Sequence, residues 1–405
     1  MSNTVVITGI GMVTALGNSR ESTWRSMLAG DCGIRPAELF ETEGYRSRLA
    51  AEVHTGALHD GFTPLERRRL SRSDQIGVVA ATEALADSGL LDTQLDRSRV
   101  GVVLGAGTAD LMRNETFYST WMTSGIARAR KSDVWNHFSS TPADAIAHRF
   151  GFEGLRSCLV AACSSSTIAI GQAADAIRRG RADAVLAGGT DALSRLTFSG
   201  FNALRLMDTN PCRPFDRARA GMSIGEGGAI LVLESLERAR RRGARIYGEL
   251  AGYGFVCEAF HPTAPEPEGR PVASVIAAAL RHGRVNADEV DHVNAHGTAT
   301  PQNDAAESKG FRRVFGERTT QIPVTSVKSM IGHCLGAAGA IEAAALALSI
   351  ARGVIPPTIN HESADCDVLV VANQPREQRL RAGVSTSLGF GGNDAALVIR
   401  ACDEN

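Results

Sequence analysis

The chain has 405 residues and a mass of 42.8 kDa, with 43% apolar and 21% charged residues. That is ordinary globular usage, enough for two or three domains or one large α/β unit, and it excludes a disordered or collagen-like chain. Its 43 basic and 44 acidic residues leave a net charge of −1, so no global field favours nucleic acid or an anionic membrane.

In chain order, Met1-Ser-Asn-Thr ahead of Val5-Val-Ile lacks the basic start and long apolar stretch of a secretory signal. Val5-Val-Ile-Thr-Gly9 reads as a buried strand feeding a tight turn. The glycines at 9, 11 and 17 have GxGxxxxxG spacing rather than the GxGxxG of a dinucleotide loop. Residues 76–86 predict a helix, and Val100-Gly-Val-Val-Leu-Gly105 a second strand. An apolar strand runs to Cys163, followed by a helix over 167–178, and Ala184-Val-Leu-Ala-Gly188 is another strand. Residues 229–234 predict a strand, 237–242 a charged helix, and a new strand pattern starts at Tyr247. The division between two halves is therefore set near residue 245, giving 1–245 and 246–405. A loop with four prolines spans 262–271. Helices are predicted over 272–281 and 337–351, the latter closed by Gly353 and Pro356-Pro357. A last strand, 384–389, precedes the C-terminus. Strands alternating with helices imply an α/β fold with mostly parallel sheets, each half carrying its own βαβ series. No apolar run approaches the roughly 18 residues of a membrane span. Eight cysteines without a C-x-x-C pair read as reduced thiols, and the expected location is cytoplasmic.

Four segments concentrate chemistry. Cys163, followed by Ser164-Ser-Ser-Thr, sits at or just before a helix N-terminus, where backbone N–H groups favour a thiolate and a developing oxyanion. His296 ends a short strand and opens the polar turn Gly297-Thr-Ala-Thr300-Pro. Lys328 and His333 are five apart, in a loop leading into a small-residue helix. Only three of the basic residues are lysines, so Lys328 stands out. Gly389-Phe390-Gly-Gly places one aromatic among three glycines. Each segment also has a structural reading: a buried cysteine capping a turn, turn-bound histidines (His292 among them), a solvated lysine, a glycine-rich hairpin. No H-E-x-x-H or carboxylate spacing suggests a metal.

Together and in this order, these segments resemble the β-ketoacyl-acyl-carrier-protein synthases, condensing enzymes of the thiolase fold. The likeness covers nearly the whole chain, from Val5–Gly17 through Arg213-Pro-Phe-Asp216 and Gly221-Met-Ser-Ile-Gly225-Glu-Gly227 to Gly389-Phe-Gly-Gly. It is closest to the elongating type II members with a Cys-His-His triad. The resemblance implies two pseudo-repeated βαβ halves forming a layered α-β-α-β-α core. It implies decarboxylative Claisen condensation, with the acyl group held on Cys163 and malonyl-acyl-carrier protein as the second substrate. His296 and His333 would bind the malonyl thioester carbonyl, and Lys328 would support them, with Glu307 as its carboxylate. The N–H groups of Cys163 and Phe390 would form the oxyanion hole, and Phe390 would gate the two pockets. Thr298 and Thr300 would hold the pantetheine arm, and Thr108 would bound the acyl pocket. No metal or redox cofactor is implied. The implied partners are an acidic acyl carrier protein and a second copy or a related ketosynthase-like chain; Arg205 and Arg213, which flank a loop near the expected entrance, are the docking candidates.

Two alternatives stand beside this reading: a non-catalytic subunit of a heterodimer, against which Cys163 argues, and a thiolase acting on coenzyme A thioesters, whose second cysteine motif is absent around Cys366 and Cys402. The chain departs from the family pattern at Leu388, Asn393-Asp394, Ser164-Ser-Ser166, Thr108 and across 108–139, which holds Trp121 and Trp135. These departures point to an acyl substrate other than the common saturated chain, in a specialised polyene or polyketide pathway.

Overall fold

A computed structural model describes residues 4–402 apart from Asp60 and Asp110, and apart from the side chains of Ala57, Trp135 and Asn136. Trp135, singled out above, thus lies outside the described side chains. β1 (Val5–Val13) is buried at all nine positions, as a strand covered on both faces must be. It runs on past Gly9, where the sequence suggests a turn. Its glycines instead let a helix press on the strand: a Cβ on Gly11 would lie 1.8 Å from the Ala80 carbonyl oxygen.

The first half adds β2 (Val100–Gly105), β3 (Arg156–Leu159), β4 (Ala184–Asp191) and β5 (Gly227–Ser235). The second half holds β6 (Gly248–Cys257), β7 (Val290–Asn294), β8 (Pro323–Thr325), β9 (Ala382–Gly389) and β10 (Asn393–Arg400). The two sets lie side by side in the same order, β3-β2-β4-β5-β1 and β8-β7-β9-β10-β6. β1 meets β6 at Val6–Glu249 and Ile7–Gly248, so one 11-stranded sheet results, with Leu369–Val370 as an extra edge strand.

The sheets are not mostly parallel. β2 pairs with β3 and β4 in parallel, and β7 with β8 and β9, but β4-β5-β1 and β9-β10-β6 are antiparallel. Fully buried strands carry the same apolar run in either direction, so the pattern cannot report it. The turn from Gly389 to Asn393 holds three residues, far short of a parallel crossover.

Among the helices that frame the sheet and its site are α1 (Arg72–Ser88), α2 (Leu111–Ser124), α3 (Ser165–Arg178), α4 (Arg195–Ala203), α5 (Arg270–Gly283), α6 (Pro301–Phe315) and α7 (Ala338–Arg352). α1 covers β1 and β5 from outside, and α5 covers β6 and β10 in the same way. α3 and α7 lie between the half-sheets, touching each other and strands of both halves. The layers are therefore α-β-α-β-α. Gly353 caps α7 at φ 67°. The stretch Leu335–Arg352 does reach 18 residues with apolar composition, contrary to the sequence expectation. It is the central core helix, 89% buried within the protein.

Close approach of α3 and α7 needs Gly339, where a Cβ would lie 1.9 Å from Thr167 Oγ1. Gly200, in exposed α4, would meet nothing within 4 Å. Alanine gains about 1 kcal/mol over glycine in a helix, but overpacking costs about 1–3 kcal/mol. Gly200→Ala should therefore raise the urea midpoint and Gly339→Ala should lower it; a rise in both would contradict the packing described.

Candidate active site

Cys163 follows β3 and precedes α3 by one residue, Ser164 being the N-cap. The turn is tight enough to hold Ala162 at φ 51°, a conformation that costs an L-residue about 1–2 kcal/mol. It is pressed from behind by Gly105, where a Cβ would sit 2.2 Å from the Ser166 nitrogen. Lys328 and His333 follow β8, the counterpart of β3 in the second half, so the two halves offer the same strand end to different chemistry. His296 lies just beyond β7. Its N–H and that of Gly297 donate to the Glu307 carboxylate of α6 at 2.7 and 2.8 Å, and Thr386 Oγ1 donates to the same group at 2.6 Å. His333 is held by its N–H on the Ser223 carbonyl at 2.7 Å. The glycines of Gly389-Phe-Gly-Gly make the β9–β10 hairpin: Gly391 and Gly392 take φ 81° and 76°.

These segments converge. His333 Nε2 is 2.9 Å from Cys163 Sγ, and the rings of His296 and His333 meet edge to face at 5.3 Å. Lys328 Nζ lies 3.4 Å from His296 Nδ1 and is paired with Glu342 of α7. An ammonium only donates, so Nδ1 accepts and the proton of His296 resides on Nε2, the other side of the ring. Lys328 is 1% exposed. Burial, and then the Lys328 charge, hold both imidazoles well below their usual value, so both are neutral near pH 7. The thiol and ring nitrogens lie within 4.8 Å of one another, but a metal ion among them would face the Lys328 ammonium.

Two expectations need correction. Cys163 is not a resting thiolate: burial pushes its thiol up to about 11, outweighing Lys328 and the Phe390 N–H, which act in the opposite sense. The thiol is protonated at rest, with His333 in place to accept the proton. The carboxylate at Lys328 is Glu342, not Glu307, whose acceptors are taken by the His296 turn. Burial pushes both carboxyls up to about 7.

A cavity of about 870 Å³, including its mouth, is lined by Cys163, His296, His333, Thr298, Thr300 and Phe390 among others. The Thr298 and Thr300 hydroxyls are 3.1 Å apart, and Phe390 packs on Phe201 at 5.7 Å. Thr108 is not among the lining residues. Its N–H is bound to the buried Asp191 at 3.0 Å. Arg205 is exposed beside Leu206, a lining residue, whereas Arg213 is half-buried. Sequence reading overlooks Glu342, although a lone carboxylate in an apolar helix demands a buried partner. Phe201 and Glu258, also in the cavity wall, carry no such signal.

The N-terminal domain model of beta-ketoacyl synthase matches residues 2–239, and its C-terminal domain model matches 247–362. The chain is 39% identical over 412 residues to the tetracenomycin polyketide synthase ketoacyl synthase alpha subunit of Streptomyces glaucescens, covering 98% of this chain and 96% of that protein. It is 38% identical over 404 residues to 3-oxoacyl-[acyl-carrier-protein] synthase 2 of Staphylococcus aureus (strain COL), covering 98% of each. The solved ishigamide ketosynthase/chain length factor superposes with a TM-score of 0.93 at 34% identity, over 99% of each chain. With the cysteine and two histidines meeting in one cavity, the chain belongs to the β-ketoacyl synthase family and is a Cys-His-His condensing enzyme.

Proposed function

We propose that Cys163 takes an acyl group from an acyl carrier protein and that malonyl-carrier extends it to β-ketoacyl-carrier with loss of CO₂. His333 accepts the thiol proton as the sulfur attacks the acyl thioester, and the carrier thiol leaves with a proton. Malonyl-carrier then enters, and its thioester carbonyl lies against His296 Nε2–H and His333. As the carboxylate departs as CO₂, its bonding electrons become an enolate, which His296 stabilises as an Nε2–H donor with the His333 ring beside it. The enolate carbon attacks the acyl carbonyl, whose developing oxyanion is received by the Cys163 and Phe390 N–H groups; the Cys163–acyl bond breaks with its electron pair on sulfur, and the thiolate regains a proton from solvent. Covalent capture thus divides one hard carbon–carbon bond formation into two steps. The observation that carries this reading is the 2.9 Å contact of His333 Nε2 with Cys163, beside a second neutral imidazole fixed by Lys328. Thr298 and Thr300, at the cavity wall, are assigned to the pantetheine arm.

The acyl chain is assigned to a specialised polyene or polyketide pathway on the residues that depart from the family pattern. Those that reach the cavity are Leu388 and Asp394. A partner chain, a second copy or a relative, is assigned to the β3 edge. Among the described residues that strand has a neighbour on one side only, and Leu155, Val160, Trp121 and Met122 are exposed large apolar residues of this region of the sequence. Cys32, Cys158, Cys212, Cys257, Cys334 and Cys366 are thiols, which accords with a reducing cytoplasm. The division of the chain near residue 245 is retained as the boundary between the halves.

Incubation with malonyl-carrier and a panel of saturated, unsaturated and aryl acyl-carriers should yield a product longer by two carbons, with release of CO₂ and faster turnover of unsaturated or aryl chains. A saturated-chain preference would sink the pathway reading, and dependence on coenzyme A rather than carrier would sink the condensation reading. Carrier docking is tested at Arg205 and Arg213: charge reversal at both should raise KM for the carrier, and an unchanged KM would remove them.

The pH profile follows from the carboxyls rather than the imidazoles. Glu307 protonates at about 7, which turns one carboxylate oxygen into a hydroxyl and weakens its acceptance of the two N–H groups and the Thr386 hydroxyl that hold the His296 turn. Its folded value is raised above the unfolded value, so acidification through this window does not weaken the fold through Glu307 or Glu342. The rate should fall from about pH 8 to about pH 5.5 with the melting temperature level or rising. A melting temperature that falls in step with the rate would contradict this origin.

A further inference from the structure

Asp191 ends β4, is fully buried, and takes part in no step of the condensation. Its carboxylate nevertheless gathers four backbone N–H groups. Oδ2 accepts from Gly107 at 2.6 Å and Gly336 at 2.7 Å; Oδ1 accepts from Ala109 at 2.6 Å and Thr108 at 3.0 Å. A carboxylate has about four lone-pair sites, so four main-chain donors fill this one, with the Thr108 hydroxyl a longer fifth contact to Oδ1 at 3.5 Å. The donors come from two places: the loop that leaves β2, and the turn that follows His333.

A third segment meets them. A Cβ on Gly105 would sit 2.2 Å from the nitrogen of Ser166, in the first turn of the Cys163 helix. A Cβ on Gly336 would sit 2.1 Å from the nitrogen of Gly107. Ser166 Oγ accepts from the Ala340 N–H of α7 at 2.9 Å. The helix that follows Cys163 and the turn that follows His333 are thus spaced through backbone contacts, with the loop from β2 between them and Asp191 binding loop to turn. Two non-glycine residues beside the bound amides, Ala109 at φ 52° and Leu335 at φ 50°, stay in the left-handed region, which persists only where the surroundings over-determine it. Burial pushes this carboxyl up to about 6 even though the four N–H groups act against that shift. An asparagine could not replace it, since one of its two terminal atoms is a donor.

We propose that Asp191 is a positioning residue that fixes the distance between His333 and Cys163 by tying the turn after His333 to the loop packed on the Cys163 helix. The kinetic part of this rests on the condensation reading above; the reactivity of the thiol does not.

The test compares full-length wild type, Asp191→Asn and Asp191→Glu. Alkylation of Cys163 by iodoacetamide is followed across pH by peptide mass, alongside kcat and KM with malonyl-carrier. In Asp191→Asn one pair of amides is released. The expected result is about tenfold slower alkylation at neutral pH, a rise of the alkylation profile to higher pH, and kcat lower by about tenfold or more with KM little changed. Asp191→Glu, which keeps the acceptors, should recover most of both. A folded Asp191→Asn protein with the wild-type alkylation profile and kcat would overturn the proposal. If that variant does not fold, hydrogen exchange of the wild type decides. Peptides covering residues 106–109 and 334–337 should exchange at a common rate, and rates differing by more than about tenfold would overturn it. A wild type that makes no β-ketoacyl product would remove the condensation reading while leaving the alkylation comparison intact.

Discussion

The site depends on a buried cation. Lys328 is sealed between the half-sheets, where an unpaired ammonium would be lost to deprotonation or would unfold its surroundings. Glu342 is its counter-ion, and this explains why a helix made almost entirely of alanine, leucine and isoleucine carries one carboxylate in its middle. Removing one partner of such a pair costs about 3–5 kcal/mol. The pair is therefore weak evidence for stability and strong evidence for a task. The task visible in the geometry is at His296, which receives the Lys328 charge on Nδ1 and is left with its proton facing the other way. Without the cation either tautomer would serve the fold; with it, only a neutral donor remains.

The internal repeat is used asymmetrically. Equivalent strand ends, β3 and β8, lead to the nucleophile and to the Lys-His loop, and equivalent helices, α3 and α7, carry the chain away between the sheets. A pseudo-twofold arrangement brings such ends face to face, which is how residues far apart in the chain share one cavity. The other equivalent pair, β4 and β9, differs more. β9 ends in Gly389 and turns at once through Phe390, while β4 ends in Asp191, which collects amides from its neighbours. One half thus supplies an aromatic turn to the substrate side and the other a fixed anchor behind it.

Much of this was legible in the residues. The strands stood out as short apolar runs, and the motifs around Cys163, His296, Lys328 and Gly389 each mark a strand end, a place where small residues and polar groups coincide. What was hidden depends on three-dimensional neighbours. Strand direction leaves no trace when both faces are buried. Glu307 and Glu342 both lie on helices that follow the motif, and only the fold shows that Glu307 binds the His296 turn while Glu342 pairs with Lys328. The helix N-terminus suggested a thiolate at Cys163, but burial is the larger effect and reverses the sign. Thr108 reads as a side chain facing substrate, whereas its main-chain N–H has the definite partner.

The central claim is that Cys163 carries the acyl group. The most direct measurement is the intact mass of wild type and Cys163→Ala after incubation with an acyl-carrier, with the partner chain supplied if one co-purifies. The account predicts a mass increase of one acyl group in wild type and none in Cys163→Ala. An equal increase in both, or none in wild type with any acyl-carrier, would contradict it.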